Sequence, residues 1–346
     1  MFDPDKKYYF VTPVLPYNRD GSIDEDGYRR LLRNFLRPEY IEAGIALIAN
    51  PEAAEIFYLD RAEKKRVVEL TIEEAAGRVP VFAGVIDTTT AGTVAVAQDA
   101  ASLGVDGIFA MPPIGALDVT SSWNADLYPE VFVDLLHAIT AVVDLPIAIH
   151  PTASPSARFG IGIPAEASRK IIEAVPQIVA WKMTYSYDGY RVVTRALRGV
   201  DRHVSVMGAT AIYFHENLAS GEFDGTITGA WNYSLEAMFD HIQAWNRGDL
   251  DTARQIWNGG LAQLQEYVYD DYSRLHVRYK IACWLHGFID SPLMREPLPR
   301  PLITEITRLR ELLLQAGLTV IGEDAVQEYL DQQRDATSRF ALPATV

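Results

Sequence analysis

The chain has 346 residues, of which 49% are hydrophobic and 22% charged, enough for two ordinary domains or for one barrel with extensions. Its 31 basic and 46 acidic side chains give a formal net charge of -15, which repels phosphate backbones and anionic lipid. That argues against nucleic-acid and membrane-surface partners, although a local basic pocket for a small anion stays open.

Cys283 is the only cysteine, so an intrachain disulfide is excluded, and its apolar neighbours point to a packing role. Met1 to Lys7 lacks the apolar core of a leader. No stretch approaches the ~20 apolar residues of a membrane span. The expectation is a cytoplasmic protein.

Short apolar runs recur along the chain at 8–12, 45–49, 81–85, 107–111, 146–150, 178–183, 203–207 and 225–229. Several are apolar throughout instead of alternating, the mark of parallel strands covered on both faces. Amphipathic stretches at 24–36, 61–76, 90–103, 129–143, 164–174 and 187–197 lie between them, as crossover helices would. Asp60 is placed to cap the second of these. Eight such alternations without a linker predict an α/β fold, a (β/α)8 TIM barrel. The barrel is expected to occupy residues 1–234. Residues 235–346 then supply the last barrel helix and a C-terminal helical extension of the same structural unit, with helices at 235–247, 251–268, 272–286 and 302–316. The tail after Gln332 is polar and is expected to fray.

Barrel enzymes carry their chemistry at the C-terminal ends of the strands and in the loops that follow. That rule selects Thr12, Asn50, Glu52, Glu55, Met111, His150, Thr152, Lys182, Tyr185, Tyr187 and Asn232. Lys182 lies in the apolar run Ile178-Val179-Ala180-Trp181-Lys182-Met183. An ammonium there is either paired or desolvated, and desolvation supplies the neutral amine that attacks carbonyls.

His150 ends the fifth run and is either a general acid or base or a hydrogen-bonded wall residue. Glu52 faces either the pocket or solvent, and Glu55 reads as a loop anchor or helix cap. The histidines show no H-x-H or H-E-x-x-H spacing, so no metal is expected. Gly104, Gly107, Gly208 and Gly225 fit turns and close packing, and no phosphate-loop pattern appears.

Together these segments resemble the dihydrodipicolinate synthase / N-acetylneuraminate lyase family over roughly residues 8–316. The resemblance rests on Val11-Thr12-Pro13 with Asp20-Gly21-Ser22-Ile23-Asp24, on Pro80-Val81-Phe82-Ala83-Gly84 and on Ile178-Val179-Ala180-Trp181-Lys182. Phe223-Asp224-Gly225-Thr226-Ile227-Thr228-Gly229 with Asn232, and Val277-Arg278-Tyr279-Lys280 through Pro297-Leu298-Pro299-Arg300-Pro301-Leu302, complete it. It implies a class I lyase in which Lys182 forms an imine with pyruvate, another 2-oxo acid or another small carbonyl substrate. No separate cofactor is implied. A homo-oligomer, dimer or tetramer, is expected by the same resemblance.

The departures are specific. Where the family carries G-T-T-G-E, this chain reads Pro51-Glu52-Ala53-Ala54-Glu55; His150 replaces a catalytic tyrosine, and Ile114 a relay tyrosine. The expected catalytic pair is therefore Lys182 and His150. The expected substrate-binding set is Thr12, Glu52, Thr152, Arg158, Tyr185, Gly208 and Asn232, with Arg158 standing in for a carboxylate-binding arginine. Two alternatives stay open: a non-catalytic small-molecule-binding barrel that has lost the family's proton relay, and a metal-dependent lyase or hydrolase.

Overall fold

Eight parallel strands close into a barrel in the computed structural model, which describes residues 2–3, 6–113 and 123–338. In chain order the strands are β1 (Tyr8–Val11), β2 (Ile45–Ala49), β3 (Val81–Val85), β4 (Gly107–Ala110), β5 (Ile147–Ile149), β6 (Thr152–Ser156), β7 (Gly160–Gly162), β8 (Ile178–Met183), β9 (Ser205–Gly208) and β10 (Gly225–Thr228). Around the barrel the order is β1-β10-β9-β8-β5-β4-β3-β2, and β1 pairs with β2 to close it. All eight expected strands are present within two residues of their expected bounds. Ile114 lies outside the described residues.

Strand parity separates two apolar layers, because successive side chains point to opposite faces. Phe10, Ile48, Phe82, Phe109, Ala148, Ala180, Met207 and Ile227 pack together inside the barrel. Their neighbours Val11, Leu47, Ala83, Ile108, Ile149, Trp181 and Val206 belong to the larger cluster under the helices. Lys182 shares the parity of Ala180, and His150 that of Ala148. Both therefore point inward, one step above the apolar plug.

Three features depart from the expected elements. The stretch between the fifth run and the helix expected at 164–174, to which no element was assigned, forms the antiparallel hairpin β6–β7. A helix at Glu323–Ser338 runs through Gln332, where fraying was expected. The helix expected over 251–268 is interrupted at Trp257–Leu261, where Gly260 has φ 143° and its backbone lies against Gln315 and Ala316. A side chain at Gly260 would collide with that neighbour.

The C-terminal helices Ala262–Tyr269 and Leu275–Leu285 lie over the end of β10. Tyr279 packs so close to Gly229 that a Cβ there would sit 2.2 Å from the ring. The Tyr279 hydroxyl donates to the Tyr269 hydroxyl at 2.6 Å, and Tyr269 donates to the Ala209 carbonyl at 3.0 Å. Cys283 is fully buried on the second helix, in the packing role its neighbours suggested. Among the described residues no helix is long and apolar enough to cross a membrane.

Candidate active site

Lys182 enters the site from the C-terminal end of β8, where an inward-pointing lysine rises past Ala180 toward the open end of the barrel. Its Nζ lies 5.7 Å from the centre of the Phe109 ring and 2.8 Å from Nε2 of His150. His150, just beyond β5, leans on the same phenyl ring at 5.6 Å. The amine thus stands on an apolar floor with one neutral polar neighbour. Burial is the main cause that pulls Lys182 down to about 8, against a smaller upward pull from Glu52.

Glu52 faces the pocket, which resolves the two readings of its sequence position. Its Oε2 is 2.6 Å from the same His150 Nε2. The local backbone explains the orientation. After β2 the chain turns sharply at Asn50, φ 52°, makes a single 3-10 turn over Glu52–Ala54, and turns again at Glu55, φ 63°. Positive φ at non-glycine residues is costly unless surrounding contacts impose it. Here the Asn50 amide donates to the Lys64 carbonyl at 2.6 Å. The Asn50 carbonyl crowds β3 so closely that a Cβ at Gly84 would lie 1.9 Å from it, so only glycine fits there.

Glu55 holds the other end of the turn. It forms an ion pair with Lys280, both fully buried, and accepts from the Arg295 backbone N–H at 2.9 Å. Lys280 also donates to the Leu293 carbonyl at 2.8 Å. Glu55 is therefore the loop anchor its position suggested, tying the β2 loop to the C-terminal extension. On the same helix, four residues before Lys280, His276 comes onto the same face. His276 is near enough to be one of the charges acting on Glu52 and to be lowered in turn by Lys182. Two acids on one 3-10 turn thus meet two bases on one helical face.

The electrostatics of the cluster follow from crowding. Burial, then repulsion from Lys182, outweigh the pull of Glu52 and push His150 down to about 4. Burial likewise lowers His276. For Glu52, burial alone would raise the carboxyl. Interactions with His150, His276 and Lys182 outweigh it and hold Glu52 well below the usual carboxylate range. Near neutrality the site then contains an ionised Glu52, a neutral His150 and a Lys182 close to its titration point.

One nitrogen, Nε2, faces both an amine and a carboxylate. A 2.6 Å contact with an ionised carboxylate requires a proton between the two atoms, and that proton is the ring's. Nζ at 2.8 Å then faces an N–H, an arrangement that suits a neutral amine presenting its lone pair. Nδ1 is buried without a hydrogen-bond partner among the described residues, so the chemistry of the ring is concentrated on Nε2.

The remaining expected residues divide. Thr12 is buried at the end of β1, and Thr152 opens the β6–β7 hairpin, its N–H donating to the His150 carbonyl at 2.9 Å. Asn232 is a backbone clamp and not a substrate ligand. Its amide nitrogen donates to Thr12 and Gly229 carbonyls at 2.9 and 2.8 Å, and its oxygen accepts from the Val14 N–H at 3.0 Å.

Tyr185 is likewise corrected: buried on the outer face, it accepts from Trp181 Nε1 at 2.9 Å and donates to the Ile163 carbonyl at 2.9 Å. Gly208 is a packing glycine, since a Cβ there would meet the outer-layer ring of Phe223 at 2.7 Å. Arg158 is exposed at the hairpin turn, its guanidinium 5.5 Å from the Phe159 ring. Tyr187 is 38% exposed, its ring centre 5.4 Å from that of Tyr213. Among the described residues no group of three His, Cys, Asp or Glu side chains is arranged to hold a metal ion.

Comparison with known proteins agrees with this architecture. A family model described as the Dihydrodipicolinate synthetase family matches residues 6–316. The chain is 26% identical over 316 residues to the 4-hydroxy-tetrahydrodipicolinate synthase of Methanopyrus kandleri, covering 90% of this chain and 96% of that one. It is 24% identical over 300 residues to the N-acetylneuraminate lyase of Lactiplantibacillus plantarum, covering 86% and 93%. Among solved structures, dihydrodipicolinate synthase from Aquifex aeolicus superposes with a TM-score of 0.74 at 22% identity. That match covers 91% of this chain and all of the other.

Proposed function

Since the chain belongs to the dihydrodipicolinate synthetase family, we propose that it is a class I Schiff-base lyase whose covalent nucleophile is Lys182. The observation that carries this reading is the buried Nζ beside an Nε2 that is itself bonded to Glu52. In this reading, neutral Nζ adds to the carbonyl carbon of a small substrate. One amine proton moves to the oxygen by way of Nε2, whose own proton is held meanwhile by Glu52, and a second proton drawn from solvent lets that oxygen leave as water. The resulting protonated imine is an electron sink. It allows a neighbouring C–C or C–O bond to form or break, which covers aldol cleavage, condensation and dehydration.

Other buried lysines are poorer nucleophiles. Lys280 is paired with Glu55, and Lys64 donates to the Ile86 carbonyl at 2.9 Å. A homo-oligomer is part of the same proposal and is tested by sedimentation. Imine formation is tested by treating the protein with small carbonyl compounds and borohydride, then weighing it intact. The wild type should gain the mass of one reduced adduct, and Lys182→Ala, folded by circular dichroism, should gain none. A folded wild type that gains no adduct across both 2-oxo acids and uncharged carbonyls favours the second reading, a binding barrel without imine chemistry. The replacements after the second, fourth and fifth barrel strands, at Pro51-Glu52-Ala53-Ala54, Ile114 and His150, are the features behind that alternative.

A further inference from the structure

We infer that Glu52 selects the substrate class: the site takes a carbonyl compound with no carboxylate beside the reacting carbon, an uncharged aldehyde or ketone such as a hydroxyketone. The inference rests on imine formation at Lys182 and deepens that reading.

Imine formation converts the amine, the carbonyl compound and one proton into an iminium cation and one water. The new C=N bond places a positive charge at Nζ in a barrel floored by Phe109. Such a charge needs a counter-anion. A 2-oxo acid would bring its own, one bond from the imine carbon. This chain already has one. Glu52 Oε2 is joined to Nζ through the single atom Nε2, by contacts of 2.6 and 2.8 Å. The carboxylate also keeps 29% of its side chain open, so an entering molecule meets it directly.

The largest charge effects on Glu52 come from His150, His276 and Lys182. Burial disfavours the charged forms of both histidines, so the iminium formed at Lys182 is the one persistent positive charge of the three positions. With an uncharged carbonyl compound, the iminium and Glu52 balance. With a 2-oxo acid, two carboxylates face one cation at short range, and like charges brought together in a partly buried site are disfavoured. Arg158, the side chain expected to offset this, is exposed at the hairpin turn against Phe159.

The test uses hydroxyacetone and pyruvate, two methyl ketones that differ in a hydroxymethyl group against a carboxylate. Cyanoborohydride trapping rates on the full-length protein are followed by intact mass and divided by the rates of the same ketones with Nα-acetyl-lysine, which removes their intrinsic reactivity. The wild type should prefer hydroxyacetone by about tenfold or more on this scale, and Glu52→Gln should cut that preference about tenfold by raising the pyruvate rate. Glu52→Asp, which keeps the charge, should retain the preference for hydroxyacetone.

A wild type that prefers pyruvate, or a preference unchanged in a folded Glu52→Gln, overturns the inference while leaving imine formation intact. The wild-type ratio decides this even if a variant fails to fold. Absence of any adduct from either ketone defeats the Schiff-base reading, and the inference with it.

Discussion

Nζ of Lys182 and Nε2 of His150 lie 2.8 Å apart above the apolar plug of the barrel, and that same nitrogen is 2.6 Å from the Glu52 carboxylate. A proton on Nζ and a proton on Nε2 therefore compete for one gap. Because burial holds Lys182 at about 8, trapping of a neutral ketone should accelerate as pH rises through about 8 and level off above it. An unperturbed lysine would keep accelerating to beyond pH 10. Trapping rates measured from pH 6 to 10, divided by those of a free lysine amine, distinguish the two.

His150 is the group placed to move protons during carbinolamine collapse. His150→Asn should lower the rate of imine formation by about 10²–10⁴-fold, the usual range for one general acid–base group, without unfolding the barrel. Single-turnover trapping at saturating ketone reads this directly. A rate within twofold of wild type would show that His150 is a wall residue.

The Glu55–Lys280 pair makes a stability prediction independent of chemistry. Both side chains are fully buried, and removing one partner leaves an uncompensated charge, at a cost of about 3–5 kcal/mol. Glu55→Ala should therefore lower the urea midpoint substantially. Replacing both residues by apolar ones, Glu55→Leu with Lys280→Met, should recover much of the loss. If the double variant is less stable than either single one, the pair contributes something that packing cannot replace.

Much of this site is readable from the sequence, and the missing parts share a cause. Lys182 and His150 could be found because strand parity and the strand-end rule act within a few residues of each. The direction of Glu52 could not, because it depends on two left-handed residues, Asn50 and Glu55, imposed by Lys64 and Lys280 from elsewhere in the chain. His276 escaped notice because its place over the barrel is set by the docking of a C-terminal helix. The visible signal was its four-residue spacing from Lys280. Asn232 and Tyr185 were misassigned for a different reason. Sequence shows that a polar group sits near a strand end, but not that backbone atoms already occupy it.

Acid stability should carry the signature of the same cluster. The folded state keeps His150 neutral down to about 4, whereas the unfolded chain protonates it near 6.5. The unfolded state therefore binds more protons between these values, and stability must fall as pH drops from 6.5 toward 4. Glu52, depressed in the folded state, adds its loss only below its ordinary value of 4.5. His150→Asn should consequently reduce the slope of stability against pH between 6.5 and 4.5, measured by urea unfolding. His241, His215 and His276 shift in the same direction and keep the slope from vanishing.

The most direct test of the covalent role of Lys182 is peptide mass mapping of wild-type protein reduced by borohydride in the presence of hydroxyacetone and, separately, pyruvate. The adduct should lie on Lys182 and on no other lysine, because of the lysines buried among the described residues Lys64 and Lys280 are paired with Asp87 and Glu55, whereas Lys182 lies against the neutral His150 ring. An adduct on Lys64, on Lys280 or spread over surface lysines, with Lys182 unmodified, would contradict the account.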